Sequence, residues 1–380
     1  MRLVVRNLHR CARVVSLVLT RPKIMKIAQI APLYEAVPPR LYGGTERVVS
    51  WVTDALVDLG HDVSLFAAAD AVTKAKLIPV RDQSIRLDPA PLKSDVASHL
   101  SMLHEVAKRA DDFDILHFHV DLLHFPMFER MANRTVTTLH GRLDLKDLSG
   151  VYDRWPEFPL VSISHNQRKA LPNANWAATV HHGLPSDLLA PAARTDKPRD
   201  YLAFLGRISP EKRPDRAIEI AKRTGIKLRI AAKVDGVDEA YFRDQIAPLM
   251  KDAPVEFVGE ISDQQKPEFL SGAMAVLFPI DWPEPFGLVM IEAMACGTPV
   301  IAWPCGSVRE VIDDGVTGIL VNSIDEAVAA VADARTLSRA KIRHVFERRF
   351  SAEVMARSYL HLYDRLLHQT HEPRAALKTA

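Results

Sequence analysis

Two periods alternate along this chain. Short apolar runs close on polar or glycine-containing turns, and segments with apolar residues at helical spacing follow them. Residues 27–33 predict a first buried strand. Val48, Val49, Val52, Ala55, Leu56 and Leu59 then recur three and four apart, Gly60 and His61 end that helix, and residues 63–67 predict a second strand. An amphipathic helix follows at 95–111. Further strands follow at 113–120, 135–141, 160–165 and 178–183, each ending in polar residues. Residues 185–199 carry Pro, Ala and charge without a period and read as a linker.

The pattern then restarts. A strand at 201–205 leads through a glycine turn to a helix from 214, with Ala217, Ile218 and Ala221 inward. Strands at 228–234, 255–259, 275–279, from 300 and at 317–321 are interleaved with helices at 237–251, 288–296 and just before 312. Helices at 324–332 and 340–350 come next. The last, at 351–367, has Met355, Tyr359, Leu360 and Tyr363 as its apolar stripe. This alternation predicts an α/β protein of two Rossmann-like domains facing across a cleft. The expected divisions are a basic extension at 1–24, a first domain at 25–190, a second at 191–350, and a helix and tail at 351–380 that cross back onto the first.

At 380 residues and 48% hydrophobic content the chain can fill two cores. A net charge of +2 sets no global demand for nucleic acid. The three cysteines, Cys11, Cys296 and Cys305, are too scattered for a disulfide framework or metal cluster, which points to a reducing cytoplasm. No apolar run is long enough to cross a bilayer. In residues 1–24, Arg2, Arg6, Arg10 and Arg13 fall at helical spacing among apolar residues, with no acid between them. Two readings stand: an amphipathic helix lying on the anionic inner membrane surface, or an upstream start codon before a fold that begins at Met25.

The candidate chemistry centres on residues 281–300, DWPEPFGLVMIEAMACGTPV. Glu284 is bracketed by prolines, and a turn through Pro285, Phe286 and Gly287 opens a helix that Gly297 ends. Glu292 lies about two turns into that helix, so the two acids can share one side. The amides of Phe286, Gly287 and Leu288 sit at a positive helix end suited to an anion.

This E-x7-E pattern resembles the signature of retaining, nucleotide-sugar-dependent glycosyltransferases of the GT-B fold, family 4. The resemblance runs from Met25 to about residue 365. It implies that Glu292 binds the ribose hydroxyls of the donor. Glu284, with the Phe286, Gly287 and Leu288 amides, would fix the sugar. Gly43 and Gly44 resemble the family's first glycine loop, near the donor phosphates. The turn from Gly206 to Lys212 resembles its G-R-x-x-x-E-K element, so Arg207 and Lys212 would hold the diphosphate; Arg213 stands where the family form has a second glycine. His117 and His119 fall on one face of a strand, but no nearby carboxylate or thiol completes a metal set. The resemblance places His119 in the cleft beside the reacting sugar. Asp121, His140 and Arg142 at neighbouring strand ends, and Arg40 on the loop at 34–42, would frame the acceptor.

The resemblance therefore implies transfer of a hexose, with UDP-glucose first among donors and GDP-mannose also open, to a hydroxyl on a lipid or saccharide in cell-envelope glycolipid or polysaccharide synthesis. It implies no metal and no cofactor beyond the nucleotide sugar. A GT-B-like epimerase or phosphorylase would share the fold, and a non-catalytic sugar-binding module would share the lobes with little need for Arg207 and Lys212. A dinucleotide enzyme is disfavoured, because no G-x-G-x-x-G fingerprint follows the first strand.

Overall fold

The computed structural model describes residues 24–40, 43–191 and 199–371. The expected basic extension, apart from Ile24, lies outside these residues, as does part of the expected linker. Seven parallel strands form the first sheet: β1 (Lys26–Ile30), β2 (Asp62–Ala68), β3 (Lys76–Arg81), β4 (Ile115–Phe118), β5 (Thr135–Leu139), β6 (Leu160–Ser162) and β7 (Trp176–Thr179). Six more form the second: β8 (Tyr201–Arg207), β9 (Lys227–Lys233), β10 (Val255–Gly259), β11 (Ala273–Phe278), β12 (Val300–Ala302) and β13 (Gly318–Leu320). Their spatial orders are β3-β2-β1-β4-β5-β6-β7 and β10-β9-β8-β11-β12-β13. Both are doubly wound, and each reverses direction beside its own first strand. That reversal opens a crevice at the carboxyl ends of β1 and β4, and again at those of β8 and β11.

The central strands are buried on both faces, which is why they appear in the sequence as apolar runs without alternation; Ile115 and Leu116 of β4 and Ala275 and Val276 of β11 are fully buried. The pattern missed β3. Only Ile78 of that strand is buried, and Pro79 suits an edge, where a missing N–H costs no ladder bond. The first strand ends at Ile30, short of the expected 33, because the Leu33 N–H turns to His99 Nε2 (3.2 Å). The single helix expected at 237–251 is a run of short pieces with a π-turn at Phe242–Ile246. Pro248 cannot donate the N–H that an α-helix needs there, and the turn ahead of it widens.

The lobes are joined twice at one place. The Leu184 N–H donates to Phe350 O (3.0 Å) and the Ala352 N–H to Leu184 O (2.9 Å). Gly183 lies so close that an added Cβ would stand 2.3 Å from Ser351 O. Beyond this crossing a return helix, Ala352–His371, packs on the helix Gly44–Asp58 of the first lobe. One apolar cluster then runs through both lobes, from Ile27, Trp51 and Val136 to Met290, Phe350 and Tyr359. Among the described residues no helix is long and apolar enough to cross a membrane.

Candidate active site between the lobes

The loop after β11 and the loop after β8 meet at the reversal point of the second sheet. The Asp281 N–H donates to Glu211 O (2.9 Å), tying one loop to the other. Glu284 is buried and forms an ion pair with Lys212, and its Oε2 also accepts from Trp282 Nε1 (2.9 Å). The Lys212 ammonium stands 5.1 Å from the centre of the Trp282 ring. Arg207 pairs with Glu211 (2.6 Å) and lies within ion-pair reach of Asp235 (3.6 Å) and Asp238 (3.7 Å). Both expected phosphate-binding cations are thus held by acids.

The helix after Glu284 begins at Leu288, as the sequence predicts, with Pro285 in the turn ahead of it. Gly287 caps it in the left-handed conformation (φ 81°), which glycine adopts without a Cβ clash. The loop ahead of it is fixed from behind. Ser307 N donates to Glu284 O (3.0 Å) and Ser307 Oγ to Phe286 O (2.7 Å), while a Cβ on Gly306 would stand 2.3 Å from Glu284 N. Glu292 is buried inside the helix, and its Oε1 accepts from Lys266 Nζ (2.6 Å). The two glutamates therefore have different cations. Lys266 had no local signal, because it lies on a separate helix (Lys266–Ser271). Arg213 takes the left-handed conformation (φ 53°) that a glycine would fill, and Asp215 and Asp281 hold its guanidinium at 2.7 Å each.

The first lobe supplies the facing wall. His119 follows β4. With the Gln29 amide oxygen turned toward it, its Nε2–H donates to Gln29 Oε1 (2.8 Å), so its Nδ1 accepts from His140 Nε2–H (2.9 Å). The His140 ring stacks on His182 at 5.2 Å, and His182 meets Phe286 of the second lobe edge-on at 4.9 Å. Burial holds His119 and His182 well below the ordinary imidazole range, with neighbouring histidines adding to the effect, and takes His140 down to about 3. The wall is neutral and offers hydrogen bonds, not charge.

His117 belongs to the core. Tyr363 OH donates to its Nδ1 (2.7 Å) and accepts from Gln29 Nε2 (3.4 Å), while its Nε2–H donates to Thr138 Oγ1 (2.8 Å), which bonds Tyr359 OH (2.9 Å). Ser164 accepts the Gln167 N–H (3.1 Å), a capping role.

Gly43 and Gly44 open the helix Gly44–Asp58, and a Cβ on Gly44 would stand 3.9 Å from Leu288 Cδ1, so the first glycine loop faces the start of the motif helix. Arg142 pairs with Asp144 (2.9 Å) and reaches to 5.9 Å from the Trp282 ring across the crevice. Asp121 has φ 50°, and the surrounding walls thin its hydration enough to push its carboxyl up to about 6, although its side chain stays exposed. Arg40 is exposed on the loop after β1; residues 41–42 of that loop lie outside the described residues.

Two doubly wound lobes that offer their reversal points to one crevice, with a Lys–Glu pair on one side and neutral imidazoles on the other, define a two-lobed transferase of the GT-B fold. The family description Glycosyltransferase Family 4 matches residues 42–200, and Glycosyl transferases group 1 matches residues 188–349. The chain belongs to the glycosyl transferases group 1 and is a glycosyltransferase.

A D-inositol 3-phosphate glycosyltransferase of Kribbella flavida is 27% identical over 388 residues, covering 84% of this chain and 90% of its own. A phosphatidyl-myo-inositol mannosyltransferase of Mycolicibacterium smegmatis is 27% identical over 378 residues, covering 90% of each. Among solved structures, a glycosyltransferase involved in avilamycin A biosynthesis has a TM-score of 0.69 at 24% identity, over 90% of this chain and 98% of that one. The Anabaena protein HepE in complex with UDP-glucose has a TM-score of 0.67 at 18% identity, over 90% and 100%. These likenesses concern the fold.

Proposed function

We propose that the chain transfers a hexose, with retention and without a metal, from a nucleoside diphosphate sugar to a hydroxyl acceptor. The observation that carries this reading is the Lys212–Glu284 pair at the reversal point of the second sheet, facing the imidazole wall around His119. A departing nucleoside diphosphate gains charge as the glycosidic bond breaks. Lys212 and Arg207, turning from their acid partners to the phosphates, and the start of the Leu288–Ala295 helix meet that charge. Glu284 and the Phe286, Gly287 and Leu288 amides fix the sugar, and Glu292 accepts from the ribose. His119, held neutral and in one tautomer, orients the reacting ring rather than exchanging a proton with it. The donor's own phosphate oxygen takes the acceptor proton on the same face of the sugar. Asp121, His140 and Arg142 frame the acceptor, with Arg40 at the outer edge.

UDP-glucose is the first donor to test, a choice supported by the UDP-glucose complex of HepE. The relatives named for inositol phosphate and phosphatidylinositol support a polyol hydroxyl, free or on a lipid headgroup, as acceptor, and with it a role in cell-envelope glycolipid or polysaccharide synthesis. A lipid acceptor would bring the enzyme to the inner membrane surface.

The test is mass spectrometry of products from UDP- and GDP-hexoses mixed with soluble extract or with cell lipids, followed by NMR of the new anomeric centre. A new glycoside of unchanged anomeric configuration is expected. Epimer formation without acceptor, inversion, or no turnover of any nucleotide sugar would overturn the reading.

A further inference from the structure

A line of alternating charges crosses from one lobe to the other. Arg47, buried one turn into the Gly44–Asp58 helix of the first lobe, forms an ion pair with Asp263 of the second. Asp263 also pairs with Lys266 (3.1 Å), and Lys266 with Glu292 Oε1 (2.6 Å). Arg47, Lys266 and Glu292 are each less than a tenth exposed. Burial disfavours the Asp263 carboxylate, but Lys266 and Arg47 together hold it below the ordinary carboxylate range. Charges this deeply buried interact strongly and respond to the loss of a neighbour.

From this we infer that Arg47 and Asp263 are positioning residues that act through Lys266 to set the Glu292 carboxylate for the nucleotide ribose when the lobes are together. Lys266 is shared between two acids. With Arg47 in place, Asp263 is already satisfied, and Lys266 is released toward Glu292, fixing Oε1 and presenting the rest of the carboxylate to ribose hydroxyls. When Arg47 withdraws with the first lobe, Asp263 keeps only Lys266 and draws it away from Glu292. Recognition of the ribose thereby becomes conditional on lobe contact, and the Gly44–Leu288 approach lies beside the same junction. The inference rests on the proposed role of Glu292 at the ribose.

The experiment compares, by calorimetry, the binding of a nucleoside diphosphate and its 2′-deoxy form to the full chain. UDP and GDP are both tried, and the one that binds the wild type more tightly is used. Wild type is expected to prefer the ribose form by about tenfold or more, as for a hydrogen bond to a charged group. Glu292→Ala should bring that ratio close to one. Arg47→Met and Lys266→Met should each lower it by at least about threefold, and Arg47→Lys should restore part of it. A merely structural role would weaken both nucleotides equally and leave the ratio intact. If Glu292→Ala removes the preference while Arg47→Met keeps it, the relay is wrong. If Glu292→Ala keeps it, the ribose assignment fails first and takes the relay with it.

Discussion

Lys212 illustrates how much one side chain can carry here. It is the ion-pair partner of Glu284 and lies over the Trp282 ring, so its removal strips both a cation from the phosphate side and the partner of a buried carboxylate. Lys212→Ala should lower kcat/KM by about 100- to 1,000-fold, the loss typical of a deleted charge-stabilising donor, with the far-UV circular dichroism unchanged. Retention of full activity would remove the donor-side assignment. His140 supports a different measurement. Its folded value of about 3 lies below the unfolded value of about 6.5. Between those values the unfolded chain binds the extra proton, so this contribution to stability is complete above pH 6.5 and is lost as pH falls toward 3. A urea-midpoint series from pH 7 to pH 4 should slope downward, and His140→Gln should make the slope shallower.

Among the elements, the loop around Glu284 depends on one that follows it by some twenty positions. Gly306 leaves room for the backbone of Glu284, so Gly306→Ala should displace that carboxylate and lower transfer by about tenfold or more while the second lobe stays folded, as read by activity against thermal unfolding. The return helix offers a second case. Tyr363→Phe leaves His117 Nδ1 buried without its donor and Gln29 Nε2 without its acceptor. The cost should be about 1–3 kcal/mol in urea unfolding.

The same elements mark what could be seen in the chain beforehand. Glycine turns, polar strand ends and the Glu284–Glu292 spacing are local signals, and they marked loops that the two strand orders bring to the reversal points. The Arg213 turn was ambiguous because the strain of φ 53° is offset by Asp281, far along the chain. Lys266, Gln29 and Glu310 could not be singled out, because their meaning comes from partners 26, 90 and 145 residues away. The strand β3 carries a proline and charged ends, so a single half-covered edge left no periodic trace.

For the whole molecule, Glu310 acts as a clasp between lobes. Its carboxylate accepts from the His165 and Asn166 N–H groups (2.7 and 2.8 Å) and meets His181 Nε2 at 3.2 Å, all three in the first lobe. Burial opposes its charge, but the His181 and amide bonds outweigh burial and hold the carboxyl below the usual glutamate range. The clasp's contribution is therefore present above the unfolded glutamate value and lost as pH falls through the lower folded one. Glu310→Ala should free the lobes to separate, seen as a larger radius of gyration in small-angle scattering at neutral pH; an unchanged profile would mean that the crossing at Gly183 and Ser351, the Arg47–Asp263 pair and the shared apolar cluster suffice without it.

That crossing has a consequence for how the molecule is made. The hydroxyls that complete the polar layer under β1 and β4 belong to Tyr359 and Tyr363, which a ribosome delivers only after the entire second lobe. Until then Gln29, His117 and Thr138 wait without their tyrosines. The half synthesised first is the half finished last, and a nascent chain halted before residue 352 should need a chaperone to remain dispersed.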